Sequence, residues 1–210
     1  MIIQPIVEGQ GDEAAVPLLL RRLQDAGQAW GFEIARPHRR RRTQLVRKDT
    51  LQTAVRVAAL RTDCAGILIL FDADDDCPKE LAPRLDLWAH EAAGGKACAV
   101  VMANREYEAW FLASIESFRA KRWVRPAAQS HPDPESPRDA KGTLEMRMEE
   151  GASYSPTVDQ ERLTAHLDLE SAYRACRSFR KLVSAFGVLA SAAGVTPEVW
   201  PPSAWQDALD

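Results

Sequence analysis

Acids close two apolar runs of this chain and follow a third. Ile2–Val7 runs into Glu8-Gly9-Gln10-Gly11-Asp12-Glu13, Gly66–Phe71 into Asp72-Ala73-Asp74-Asp75-Asp76, and Ala97–Met102 is followed by Glu106 and Glu108. Carboxylates held close together repel and raise one another's pKa, and a bound divalent cation relieves that repulsion. A donor set made only of oxygens favours Mg²⁺ or Mn²⁺ over zinc. The pattern therefore points to a metal centre with Glu8, Asp72 and Asp74 at its heart. The blander alternatives are a helix-capping Glu8 and a solvated turn at Asp72–Asp76 that caps the helix opening at Pro78. Four carboxylates directly after a buried strand are costly without a cation, so the metal reading is preferred for Asp72 and Asp74, with Asp75 and Asp76 facing solvent. Glu106 and Glu108 are two apart, so on one helix they point to different sides and at most one faces the site. Glu108 is the additional acid kept as a candidate. Trp110, Phe111 and Leu112 read as core.

A second charged stretch has the opposite sign. Residues 36–48 carry seven Arg or Lys and no acid. Arginine forks match phosphate geometry, so Arg39, Arg40, Arg41, Arg42, Arg47 and Lys48 are the candidates for gripping a nucleic-acid backbone. The alternative is a solvated loop. Arg177, Arg180 and Lys181 form a weaker basic cluster, and Lys141, in the plausible anion-binding position Asp139-Ala140-Lys141-Gly142, reads rather as a surface lysine.

The elements that must position these groups alternate. Strands are expected at residues 2–7, 32–35, 66–71 and 97–102, and helices at 12–28, 49–61, 78–93 and 105–113. Val16, Leu19, Leu20 and Leu23 show the three-to-four spacing of a helix with one buried face. The uninterrupted apolar run GILILF suits a central parallel strand covered on both faces. Pro5 is awkward in a central strand, so that strand should start late or bulge there. This β-α alternation implies parallel strands joined by right-handed crossovers. In such a sheet function gathers at the carboxyl ends of the strands, which is where the acids fall. Residues 125–143 are proline-rich and polar, a loop or mobile linker, and helices follow at about 138–149, 159–167 and 170–192. The expected architecture is α/β, a four-stranded parallel sheet flanked by helices over residues 1–124, with a proline-rich linker and a helical C-terminal extension packing on it over 125–210.

Composition narrows the function classes. The 210 residues are 46% hydrophobic and 27% charged, with a net charge of −3, so the molecule is no cationic nucleic-acid coat. Four cysteines form no CxxC pair and four histidines show no metal spacing, which implies reduced thiols and no zinc site. No apolar run approaches the ~20 residues of a membrane span, and Met1–Val7 lacks the features of a signal peptide. The expected location is the cytoplasm, with no membrane partner.

The stretches I-V-E-G-Q-G-D-E at 6–13 and I-L-F-D-A-D-D-D at 69–76 resemble the TOPRIM domain of topoisomerases, primases and the overcoming-lysogenization-defect nucleases. A closer resemblance is to DUF4276, a TOPRIM-like family, and to the related RloB-like proteins. It adds N-R-E-Y-E-A-W-F-L-A at 104–113, Y-S-P-T-V-D-Q at 154–160 and R-S-F-R-K-L at 177–182. By this resemblance Glu8 would be a metal ligand or general acid/base, Asp72 and Asp74 would hold Mg²⁺ (or Mn²⁺), and Asp12 or Glu13 would help hold a second ion. The resemblance implies a Mg²⁺-dependent nuclease acting on DNA or RNA, in a prokaryotic phage-defence or mobile-element system, often beside an AAA/ABC-type ATPase. No glycine follows the DxD closely and no tyrosine nucleophile domain is evident, which disfavours strand passage and leaves hydrolysis open. Two other readings stand beside it. One is a non-enzymatic or conditionally active effector subunit of an ATPase complex. The other is a haloacid-dehalogenase-like phosphatase, which would need its DxD nearer the start of the domain.

Overall fold

The computed structural model describes residues 1–206. Five parallel strands form one sheet: β1 (Ile2–Val7), β2 (Glu33–Ile34), β3 (His38–Arg39), β4 (Cys64–Asp72) and β5 (Ala97–Ala103), in the order β2-β1-β4-β5, with β3 also paired to β1. The expected edge strand is thus two short pieces. Ile2 and Ile3 pair with β2, Ile6 and Val7 with β3, and the break falls at Arg36-Pro37. The basic stretch is accordingly no simple loop. It contains β3, a single helical turn α2 (Arg42–Leu45), and the start of the next helix.

Pro5 causes neither a late start nor a bulge at its own position, because it pairs in register with Leu68, and the register shift lies between Ile2 and Ile3. The carbonyls of Met1, Ile3 and Val7 accept from Glu33, Ala35 and Arg40 on the edge side. Pro5 shares their parity. Its missing N–H therefore faces the interruption between β2 and β3, where no ladder bond is lost. The buried Gln4 bridges that interruption, donating from Nε2 to the carbonyls of Pro5 (3.1 Å) and Arg36 (2.8 Å).

Helices α1 (Asp12–Ala26), α3 (Lys48–Ala59), α4 (Pro78–Ala92) and α5 (Glu108–Leu112) follow the expected alternation. Later come α6 (Ala140–Glu145), α7 (Pro156–Thr164), α8 (Leu169–Ala175), α9 (Arg177–Ala192) and α10 (Ser203–Gln206). The long helix expected at 170–192 is broken at Cys176, whose backbone is extended at φ −113° and ψ 119°. Residues 207–210 of the expected irregular tail lie outside the described residues.

Both faces of the sheet are covered, as the continuous apolar runs require. On one face Ile6, Ile67, Ile69, Phe71, Val100 and Met102 pack with α3 and α4. On the other, Ile3, Val7, Leu68, Leu70 and Val101 share a core with α1, α5 and the C-terminal helices α7, α8 and α9. Gly66 lets α9 approach, since a Cβ there would lie 2.7 Å from Leu189 Cδ2. One core therefore spans both sides of residue 124. The proline-rich segment is irregular but tied down. His131 N donates to Leu112 O, and Glu135 accepts from the N–H groups of Arg177 (3.0 Å) and Ser178 (2.9 Å), capping α9 with a carboxylate where the helix dipole favours one. The Ser178 hydroxyl also accepts from Trp110 Nε1 at 2.8 Å, so this cap anchors the largest fully buried side chain.

All four cysteines are free, three of them buried and Cys77 exposed. No helix among the described residues is long and apolar enough to cross a membrane.

Candidate active site

The pairing of Val7 with Leu70 places the ends of β1 and β4 side by side, so Glu8 and Asp72 emerge at the same sheet edge. Asp72 is itself paired with Ala103, which carries the chain after β5 to that edge as well. Beyond these ends the backbone turns sharply. Asp74 and Arg105 both adopt left-handed conformations, at φ +50° and +64°, and Asp74 N donates to Arg105 O at 2.8 Å.

The turn at Arg105 corrects the expectation for Glu106 and Glu108. Helix α5 begins only at Glu108, so Glu106 lies outside it and the two-residue helical spacing does not separate them. Both acids approach Lys141, which reaches in from α6. Lys141 Nζ lies 3.1 Å from Glu106 Oε1 and 3.8 Å from Asp72 Oδ2, while its backbone N donates to Glu106 Oε2 at 2.9 Å. Lys141 is thus an internal counter-ion of the cluster rather than a surface lysine. Its ammonium is held well above the ordinary lysine range by Glu108, Asp72 and Glu106, which outweigh its loss of solvent.

Asp72 accepts from Tyr107 N at 2.8 Å. Its carboxyl is pushed well above the usual range by removal from water, then by the charges of Glu108 and Asp12. Burial lifts Glu108 to about 7, against the opposing pull of Lys141. The hydroxyl of Tyr154 is buried beside Glu108, and its pKa is raised by burial and then by the Glu108 charge. Asp12 is shifted up by burial, although its Oδ2 accepts from Gly9 N and its Oδ1 from Gln160 Nε2, both at 2.7 Å. Glu8 is raised by burial and by Asp74. Glu8 Oε2 is buried with no hydrogen-bond partner, whereas the Glu108 carboxyl lies beside the Tyr154 hydroxyl. The Glu8 oxygen needs an explanation, and an ion is one.

The site draws in most of the residues expected from sequence. Asp12 links them: its charge raises the pKa of Glu8 on one side and of Asp72 on the other, and Asp72 also feels Glu108. Asp74 sits at the rim, paired with Arg42 Nε at 3.1 Å. Glu13 turns away, its carboxylate 3.1 Å from Arg39 Nε and 3.8 Å from Arg36. As a donor set, these all-oxygen ligands with their excess of negative charge fit a hard divalent cation. Yet among the described residues no three His, Cys, Asp or Glu side chains are grouped so as to hold a metal ion. Two internal cations, Lys141 and Arg42, already sit between the acids.

The basic stretch is dispersed. Arg42 folds inward, donating to the carbonyls of Asp72 (2.9 Å) and Ala73 (3.0 Å), pairing with Asp74 and Asp76, and covering the Phe71 ring. Arg39 is paired with Glu13, Arg47 with Asp49 and Lys48 with Glu91. Arg40 and Arg41 form no ion pair among the described residues. Apart from Asp49, two residues from Arg47, the counter-charges come from other elements.

Gln160 and Lys141 were not foreseen as site residues. A signal for Gln160 was present in the Y-S-P-T-V-D-Q stretch at 154–160. It docks α7 against the Glu8–Glu13 turn, and Gly11 is the reason it can: a Cβ there would lie 2.1 Å from Gln160 Oε1 and 2.6 Å from Pro156 O. Lys141 had its signal in Asp139-Ala140-Lys141-Gly142, a plausible anion-binding position, but only the packing of α6 beside α5 brings it to Asp72.

In comparisons with known proteins, the family model described as Domain of unknown function (DUF4276) matches residues 7–186. No curated protein and no solved structure matches the chain.

Proposed function

The chain belongs to the DUF4276 family, and we propose that it is a Mg²⁺-dependent (or Mn²⁺-dependent) nuclease of TOPRIM-like type that hydrolyses phosphodiesters of DNA or RNA. The observation that carries this reading is the buried, unpartnered Oε2 of Glu8 at the end of β1, next to the end of β4 that carries Asp72. Glu8, Asp72 and Asp74 would hold the cation, with Asp12 as a further ligand. The cation would supply Lewis-acid stabilisation of the charge that develops on the phosphate. The chain's own groups have separate tasks. Gln160 and Gly9 N orient Asp12, and Tyr107 N orients Asp72. Glu108, with a pKa of about 7, is suited to take up or release a proton near neutral pH. Lys141 keeps the acids from repelling one another apart and offers a positive charge toward an anionic substrate.

The test is cleavage of supercoiled plasmid, single-stranded DNA and tRNA with Mg²⁺ or Mn²⁺. Cation-dependent products that vanish in Glu8→Ala and in Asp72→Ala are expected. Cleavage unchanged in both variants, or none with either cation, overturns the reading. A role in prokaryotic phage defence rests on the family resemblance alone.

One observation favours a second reading, a conditionally active effector subunit of an ATPase-containing complex. Among the described residues no three of the acids are grouped so as to hold a metal ion, and Lys141 stands between them. An isolated chain that is inert but gains cleavage when its ATPase partner is added would select this version.

A further inference from the structure

Beside the acidic site, at the outer edge of β1, lies an open cavity of about 430 Å³ lined by Gln4, Glu13, Arg36, His38, Arg39 and Arg61 among others. Its size falls within the roughly 300–1,000 Å³ of small-molecule sites. Its cations come from three separate segments: Arg36 from the break between β2 and β3, Arg39 from β3, and Arg61 from the turn before β4. Glu13 is the one acid in the lining, 3.1 Å from Arg39 and 3.8 Å from Arg36. Arg61 is oriented by Asp63, which takes its Nε and Nη2 at 3.0 and 2.8 Å and leaves Nη1 uncommitted. The Arg36 side chain is 89% exposed. The lining therefore keeps an excess of positive charge.

The floor of this cavity is polar. Gln4 is fully buried, and its Nε2 is committed to two backbone carbonyls, which fixes the side chain. Its Oε1 has no partner, and neither does the buried Nδ1 of His38. Both atoms are sealed from solvent and Gln4 Oε1 can only accept, so the arginines, not these atoms, are the groups that meet an anion. Burial and the flanking Arg40 and Arg61 hold the His38 imidazole below its usual pKa, so the positive charge comes from the arginines.

We infer that this cavity is a binding site for a phosphate monoester, supplied either by a free nucleotide or by the 5′ end of a nucleic-acid strand. Converging arginines recognise phosphate through paired, charge-assisted hydrogen bonds. On binding, the phosphate takes over from Glu13 as the partner of Arg36 and Arg39. The strand-end version rests on the nuclease reading, because Asp12 of the acidic site is the immediate neighbour of Glu13. The phosphate site itself does not.

The experiment is calorimetric titration of the whole chain in the absence of divalent cations. The probes are inorganic phosphate, AMP, adenosine, and one oligonucleotide with a 5′-phosphate or a 5′-hydroxyl. AMP should bind more tightly than adenosine, and the 5′-phosphorylated strand more tightly than its hydroxyl form. Arg36→Ala, which alters an exposed side chain, should weaken phosphate-dependent binding about ten-fold, and adding Arg61→Ala should weaken it further. Arg41→Ala should leave it unchanged. A stronger response to the 5′-phosphorylated strand than to AMP identifies the strand end, and the reverse identifies a free nucleotide. Binding that survives in Asp72→Ala separates this site from cleavage. Equal affinity for AMP and adenosine, or phosphate binding unaltered by Arg36→Ala in a normally folded protein, overturns the proposal.

Discussion

Two charged regions of this molecule meet opposite fates. The acids at the strand ends are gathered from three segments and left with too few cations, whereas the arginines of residues 36–48 are contiguous in sequence yet scattered in space, most with a carboxylate partner. In sequence both look like charge runs. Strand ends of a parallel sheet converge, so short acidic segments far apart become one site. A basic run that crosses a strand, a turn and a helix start points its side chains in different directions. Charge density along a chain is thus a poor guide to charge density in space. What counts is whether the elements carrying the charges aim at one point.

The largest expected effect tests this contrast in function. Asp72→Ala or Glu8→Ala should lower cation-dependent cleavage by about 100-fold or more. Arg41→Ala should change it only slightly, as measured by initial rates on a labelled strand. A larger loss at Arg41 would reverse the comparison.

Next is stability within the basic run itself. Arg42→Ala strands Asp74, Asp76 and two carbonyls, and should destabilise the fold by about 3 kcal/mol in urea denaturation. Arg41→Ala, at an exposed position with no ion pair, should cost under about 0.5 kcal/mol. Equal effects would mean that the inward fold of Arg42 is not what closes this edge.

A somewhat smaller effect concerns pH. The Glu108 pKa is raised from 4.5 to about 7 in the folded chain, so the fold binds this proton more tightly than the unfolded chain does. Its contribution is fully present below pH 4.5 and is lost as pH rises towards 7. Without divalent cations, Glu108 should make the protein more stable at pH 5 than at pH 8 by about 2–3 kcal/mol. Glu108→Gln should flatten that slope, and Mg²⁺ should restore stability at the alkaline end. Thermal melts across this range decide the matter, and an unchanged slope in Glu108→Gln would remove Glu108 from the cluster.

The smallest effect is expected at Lys48. Its pair with Glu91 is exposed on both sides, so Lys48→Ala should cost no more than about 0.5 kcal/mol and fade with added salt.

The alternation of elements, the strand at GILILF, and the convergence of Glu8 with Asp72 were legible in the sequence. Each follows from local periodicity plus the rule that parallel strands end on one edge. Two features were not legible. The edge of the sheet beside β1 is made of two short strands because Arg36-Pro37 interrupts the ladder. The left-handed turn at Arg105 sets Glu106 on Lys141 while Glu108 still acts on that lysine through its charge, which a helical reading of residues 105–113 forbids.

By itself, then, the sequence determined the β-α order, the parallel sheet, and the strand ends at which acids would collect, because hydrophobic period and chain direction are local properties. The tertiary structure alone decided how each charge is compensated. Lys141 comes to Asp72 through the packing of α6, Gln160 to Asp12 through that of α7, and Arg42 is withdrawn from solvent by carbonyls thirty residues away. Electrostatic energy depends on distances of a few ångströms between groups remote in sequence, and only the packed chain sets those distances.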